Sequence, residues 1–100
     1  MNSMDDKNID IEYLKAEQAF NEGSHSETLA ILNHILKADP ERSDALLLRA
    51  KVYYRHQNWA DALNDLNILI EKQPENAMAQ NYKSMLLDIL RFWNKDNFNP

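Results

Sequence analysis

One hundred residues, 44% of them apolar and 27% charged, suit a single small domain with one core. One glycine and three prolines are too few for an all-β chain, whose short strands need turn residues between them, so the composition points to helices. A formal charge of −5 with scattered lysines and arginines argues against nucleic acid, and the absence of cysteine excludes disulfides and thiolate metal sites.

The amino terminus, MNSMDDKN, is polar and acidic, with neither the basic head nor the apolar core of a secretory signal. Residues 1–8 are therefore expected to be disordered. No apolar run approaches the roughly 18 residues of a membrane span, and the expected location is cytoplasmic. Helical spacing of apolar residues predicts a first helix over 9–22 and a second over 25–38. The second carries Thr28, Leu29, Leu32, Ile35 and Leu36 as one stripe. Ser24 with Glu27 predicts a capping box at its start. A third helix is predicted over 43–56 and a fourth over 59–72, whose stripe is Ala62, Leu63, Leu66, Leu69 and Ile70. Asn58 with Asp61 predicts the same cap. Pro40 and Pro74 end the second and fourth helices, because proline lacks an amide donor and disfavours helix in the residue before it. A fifth helix is predicted over 77–94, followed by a tail over 95–100.

Pro40 and Pro74 stand 34 residues apart, and that offset recurs. It superimposes Asp10 on Asp44, Leu14 on Leu48, Ala16 on Ala50, Leu29 on Leu63, Leu32 on Leu66, Asn33 on Asn67 and Glu41 on Glu75. Lys15 with Arg49, Phe20 with Tyr54, Ile35 with Leu69 and Leu36 with Ile70 are conservative matches. A single helical hairpin cannot bury its apolar face alone, so repetition here is structural before it is functional.

The stretch ALLLRAKVYYRHQNWADALNDLNILIEKQPEN resembles a tetratricopeptide repeat (TPR). Ala50 stands at the family's small site, with Tyr53, Tyr54, Trp59, Ala62-Leu63 and Pro74 at their places. The first unit departs from the pattern, with Ala19 where tyrosine is usual and Thr28 where alanine is usual. Gly23 sits at the turn glycine, which Gln57 replaces in the second unit; a positive φ there costs glutamine of order 1 kcal/mol. The resemblance implies an all-α fold, a right-handed superhelix of antiparallel helix hairpins with five helices. Its expected parts are a repeat over 9–42, a second over 43–76 and a closing helix over 77–94, with Ser84 at the small site.

The resemblance also implies a protein-interaction scaffold, whose concave groove is lined by the first helix of each unit. The groove residues would be Tyr13, Glu17 and Phe20 from the first unit, Leu47, Lys51, Tyr54 and Arg55 from the second, and Asn81, Tyr82 and Met85 from the closing helix. Asp10, Leu14, Asn21, Asp44, Leu48, Met78, Asp88 and Ile89 share those faces. Lys51 and Arg55, four apart beside Tyr54 in an acidic chain, fit a carboxylate or an acidic peptide side chain. The plainer alternative pairs Lys51 with Glu17 and leaves Arg55 solvated. Tyr13 and Phe20 have a second reading as core residues, because Glu12 and Lys15 occupy sites the family makes apolar. Some relatives clamp the terminal carboxylate of chaperone tails. The matching positions here, Tyr13, Glu17, Leu48, Met78 and Tyr82, supply no donor beyond a tyrosine hydroxyl, so that function is not expected.

From Tyr82 to Trp93 apolar residues cover an arc of roughly 220° around the closing helix. A terminal helix should present a polar outer face. Three explanations stand: Phe98 folds back over the helix, the helix sits deep against its neighbours, or Leu87, Leu90 and Trp93 form a self-association patch giving a homodimer. Nothing points to catalysis. His25, His34 and His56 show no metal-ligand spacing, and there is no nucleophile elbow or phosphate-binding glycine loop. The aligned carboxylates Asp10 with Asp44 and Glu41 with Glu75 read as surface charges favoured by helix dipoles. The expectation is a non-enzymatic scaffold with no metal and no cofactor, whose partner is an unidentified protein or peptide of acidic character.

Overall fold

The computed structural model describes the backbone of residues 6–98 and the side chains of residues 8–93. Five helices follow in order: α1 Asp6–Asn21, α2 His25–Ala38, α3 Ser43–Arg55, α4 Trp59–Lys72 and α5 Ala77–Phe98. No strand occurs among the described residues. α1 begins at Asp6, ahead of the expected residue 9, and residues 1–5 of the expected disordered terminus lie outside the described residues. α5 continues to Phe98, past the expected 94, and the fold-back of Phe98 concerns a side chain outside the described residues.

Each hairpin turn is closed by the same pair of backbone hydrogen bonds. The amide of Gly23 donates to Phe20 O at 3.0 Å and that of Ser24 to Ala19 O at 2.8 Å. One repeat later, Gln57 donates to Tyr54 O at 3.1 Å and Asn58 to Tyr53 O at 2.9 Å. This is the Schellman pattern, which requires a left-handed residue at its second-to-last position. Gly23 supplies it at φ 81°, and Gln57 is forced into it at φ 62°. At the other connections the prolines act as expected. α2 and α4 stop one residue short of Asp39 and Gln73, the residues preceding Pro40 and Pro74.

The two capping boxes do not form. Neither Ser24 nor Asn58 makes a side-chain cap bond. A capping side chain needs an extended backbone at its own residue, whereas the tight turn holds ψ at 72° for Ser24 and 71° for Asn58. Asn76 does cap a helix, accepting the amide of Ala79 at 3.0 Å at the start of α5.

Successive helices pack against one another, α1 on α2, α2 on α3, α3 on α4 and α4 on α5, with a lighter contact between α1 and α3. The repeat shows in the core. Ala16 and Ala50 are buried at the small site, and Leu32 with Leu66 and Ile35 with Leu69 fill matching places. Leu29 and Leu63 are half-buried. Thr28 is buried where the second repeat has Ala62, and its hydroxyl is satisfied by donating to Ser24 O at 2.8 Å. Leu14 and Leu48 do not match: Leu48 is buried and Leu14 exposed.

A second departure lies between α3 and α4. Asp65, 1% exposed, accepts two bonds from Arg49, 2.8 Å from Nε and 2.7 Å from Nη2. Arg49 also donates from Nη1 to Asn33 of α2 at 2.9 Å, so one guanidinium ties three helices together. The bond to Asp65 raises the Arg49 pKa above its already high ordinary value. The first repeat has Lys15 and Ile31 at these two places and no such pair.

Candidate functional site

Of the residues expected to face a groove, Tyr13, Glu17 and Phe20 of α1 and Leu47 and Lys51 of α3 line one cleft of about 190 Å³, joined by Asn21, Asp44 and Leu48. At one end of α1 and α3, Arg42 is clamped between carboxylates. It bonds Asp10 and also donates to Asp44 Oδ1 at 2.8 Å. The Asp44 bond, with the Asp10 bond beside it, raises the Arg42 pKa against the opposing effect of burial. One guanidinium thus serves two carboxylates and leaves the trio with a net negative charge.

The middle of the cleft carries charge that is not neutralised in the same way. Burial first, then the charges of Glu17 and Asp44, raise the Tyr13 phenol pKa well above its ordinary value. Lys51, half-buried in the cleft wall, has no ion pair or hydrogen bond among the described residues. The expected Lys51–Glu17 pair is therefore absent. Arg55 is not simply solvated either: its guanidinium carbon lies 4.8 Å from the centroid of the Phe20 ring, a cation–π contact across the repeats.

That contact belongs to a longer ring chain. Phe20 stacks on His25 with centroids 5.5 Å apart, and His25 Nδ1 lies 2.8 Å from His56 Nε2. At least one imidazole must be neutral for that bond to have an acceptor. The pairing went unpredicted, although its signal was present: His25 and His56 each sit at a hairpin turn, close to one repeat apart. Toward the other end of the stack, Tyr54 meets Trp59 edge-on at 5.4 Å and Tyr82 of α5 at 5.5 Å. Arg55 thus joins the cleft residues through Phe20, whereas Tyr54 and Tyr82 form a separate aromatic cluster with Trp59 and do not line the cleft. Tyr13 and Phe20 serve both readings, packing on the core while lining the cleft. Asn81 and Met85 are exposed on α5 and do not line the cleft.

α5 is less uniformly apolar outside than its composition suggested. Gln80, Ser84, Asp88 and Arg91 are exposed on its outer side, with Arg91 Nη1 3.2 Å from Asp88 Oδ1. Leu87, Leu90 and Trp93 follow one another at about 60° steps around the helix. Leu90 is half-buried, Leu87 exposed and Trp93 52% exposed. Met78, Met85 and Phe92, seven apart, make a separate exposed line. Among the described residues no group of three or more histidines and carboxylates is placed to hold a metal ion, and no helix is long and apolar enough to cross a membrane.

Two consecutive hairpins with a common turn geometry, a buried alanine at the small site and a closing helix are the marks of one repeat family. The model of that family, described as Tetratricopeptide repeat, matches residues 19–86. The chain belongs to the TPR family. No curated protein and no solved structure gave a match beside it. As a TPR domain it is an all-α helical-repeat module for protein–protein interaction and not an enzyme.

Proposed function

We propose that this TPR domain is an adaptor that holds an extended segment of a partner protein along the face made by α1, α3 and α5. Lys51 and Arg55 take the carboxylates of that segment. The observation that carries the reading is Lys51, a half-buried residue whose ammonium has no ion pair or hydrogen bond among the described residues, in the wall of a cleft with Tyr13, Phe20 and Leu47. An unpaired cation gains from a charge-assisted bond, and aromatic walls supply sequence-tolerant apolar contact. The whole chain, at −5, repels an acidic ligand at a distance. Association is therefore slow and weak, and it rests on local contacts.

Selection from a displayed random-peptide library tests this directly. Binders should be enriched in an Asp or Glu flanked by apolar residues, and Lys51→Glu with Arg55→Glu should weaken them by about tenfold or more. Unchanged affinity in that double variant retires the groove.

The second reading is self-association through α5, favoured by Phe92 at 64% and Trp93 at 52% exposure. Sedimentation over a wide concentration range separates the two, since a strict monomer at high concentration removes the homodimer.

A further inference from the structure

Two imidazoles meet at the edge of the joint between the repeats. His25 is the first residue of α2 and His56 caps the end of α3, so each is placed by the hairpin turn of a different repeat. His25 Nδ1 lies 2.8 Å from His56 Nε2, with the rings edge-on at 79° and their centroids 4.9 Å apart. His25 is half-buried and His56 exposed, so solvent reaches the pair. Spacing along the chain does not reveal this meeting, because the two histidines are 31 residues apart and on different helices.

Both residues are anchored. His25 stacks on Phe20 with ring planes 20° apart, and Phe20 packs in turn against the core. The amide of His56 donates to Val52 O at 3.2 Å and to Tyr53 O at 3.1 Å, which fixes its backbone at the end of α3. Arg55, beside His56 in the chain, would repel a further cation. Its guanidinium carbon lies 4.8 Å from the centroid of the Phe20 ring, whose electron-rich face answers part of that charge.

Neutral imidazole is a ligand for late divalent transition metals. Its bond to such an ion is about 2.0 Å long, so two imidazole nitrogens stand about 2.8 Å apart at a right angle and about 3.3 Å apart at the tetrahedral angle. The observed 2.8 Å fits the first, the cis edge of the tetragonal geometry that Cu²⁺ and Ni²⁺ favour. In the metal-free pair one ring donates an N–H to the other. On binding, the donor ring shifts that proton to its outer nitrogen, which keeps the imidazole neutral and frees both inner lone pairs for the ion.

We propose that His25 and His56 form a two-histidine site for a divalent late transition ion, Cu²⁺ first among them, which braces the first repeat to the second. Water takes the remaining coordination positions, so the site is open. The chain's net charge of −5 favours the approach of a cation. The third histidine is engaged elsewhere, His34 Nδ1 lying 2.9 Å from Glu12 Oε1.

Cu²⁺ titrated into the full chain should bind saturably at one ion per chain. Its electron paramagnetic resonance spectrum should be tetragonal, with coupling to two imidazole nitrogens. The ion should also raise Tm, because it bridges two helices that part on unfolding. His25→Ala and His56→Gln should each weaken binding by more than about tenfold and remove the rise in Tm, since even a partner one shell further out is worth that much. His56→Gln retains a group able to hydrogen-bond His25, so its Tm without copper should stay near that of wild type. His34→Ala should bind copper as wild type does. Binding that survives His25→Ala or His56→Gln, loss of binding in His34→Ala, coupling to a single nitrogen, or a Tm indifferent to copper would each overturn the proposal.

Discussion

Leu14 and Leu48 hold the same place in two successive repeats, yet one is 62% exposed and the other 5%. Lys15 and Arg49 are likewise equivalent, yet only the arginine is bonded to a buried aspartate. The hairpins themselves are alike, with equal turns, equal small residues and the same apolar stripe. What differs is the neighbour, since the second repeat has α2 against one side and α5 beyond, and the first has no helix before it among the described residues. In a stack of this kind a residue's burial is a property of its position along the array as much as of its repeat code. The same leucine is therefore core in one unit and exposed in the other.

The sharpest way to break that comparison is at the buried ion pair. Asp65→Ala should destabilise the fold by about 3–5 kcal/mol, because it strands the Arg49 guanidinium among α2, α3 and α4. Replacing both partners by leucine should recover most of that loss, since removing both charges also removes their desolvation cost. Urea unfolding of the three variants reads this out. A double variant no better than Asp65→Ala would mean the pair does more than satisfy itself. Next comes the leucine contrast. Leu48→Ala should cost about 2–5 kcal/mol, and Leu14→Ala should fall within about 0.5 kcal/mol of wild type. Equal losses at the two sites would show that Leu14 is covered in solution.

Much of the stack was legible in the sequence, and the reasons are physical. Leu32, Ile35, Leu66 and Leu69 are spaced so that only a helix puts them on one side, and Pro40 and Pro74 leave little freedom in where α2 and α4 end. The 34-residue offset then fixed which hairpin lies beside which. The capping boxes misled because Ser24 and Asn58 end one helix while starting the next. The turn bonds that the first role imposes set a ψ that the second role cannot use. Asp65 went unnoticed as a core residue, although it shares a helix face with Ala62, Leu66 and Leu69. An acid inside an apolar stripe signals a partner, and Arg49 was one helix away. On the candidate face, spacing and resemblance brought Tyr13, Glu17, Phe20, Leu47 and Lys51 to one cleft. They did not indicate that Glu17 and Lys51 would share that cleft without an ion pair between them. Pairing across a cleft depends on side-chain rotamers and reach, which no linear pattern expresses.

The smallest effect isolates the backbone. Gly23 and Gln57 carry the left-handed residue of equivalent turns, at φ 81° and φ 62°, and only one of them is a glycine. A side chain costs roughly 1–2 kcal/mol in that conformation, and restoring glycine returns this less the extra freedom it gives the unfolded chain, about 0.4–1 kcal/mol. Gln57→Gly should therefore stabilise the domain by about 1 kcal/mol or slightly less, visible as a rise of a few degrees in Tm. Gly23→Ala should lose a similar amount. A Cβ at Gly23 would meet nothing within 4 Å, so the loss would come from φ alone and not from a clash. The paired variant, Gly23→Ala with Gln57→Gly, should return close to wild type if the two turns are energetically interchangeable. A clear residual in either direction would show that the turn between α1 and α2 carries a different load from its counterpart between α3 and α4.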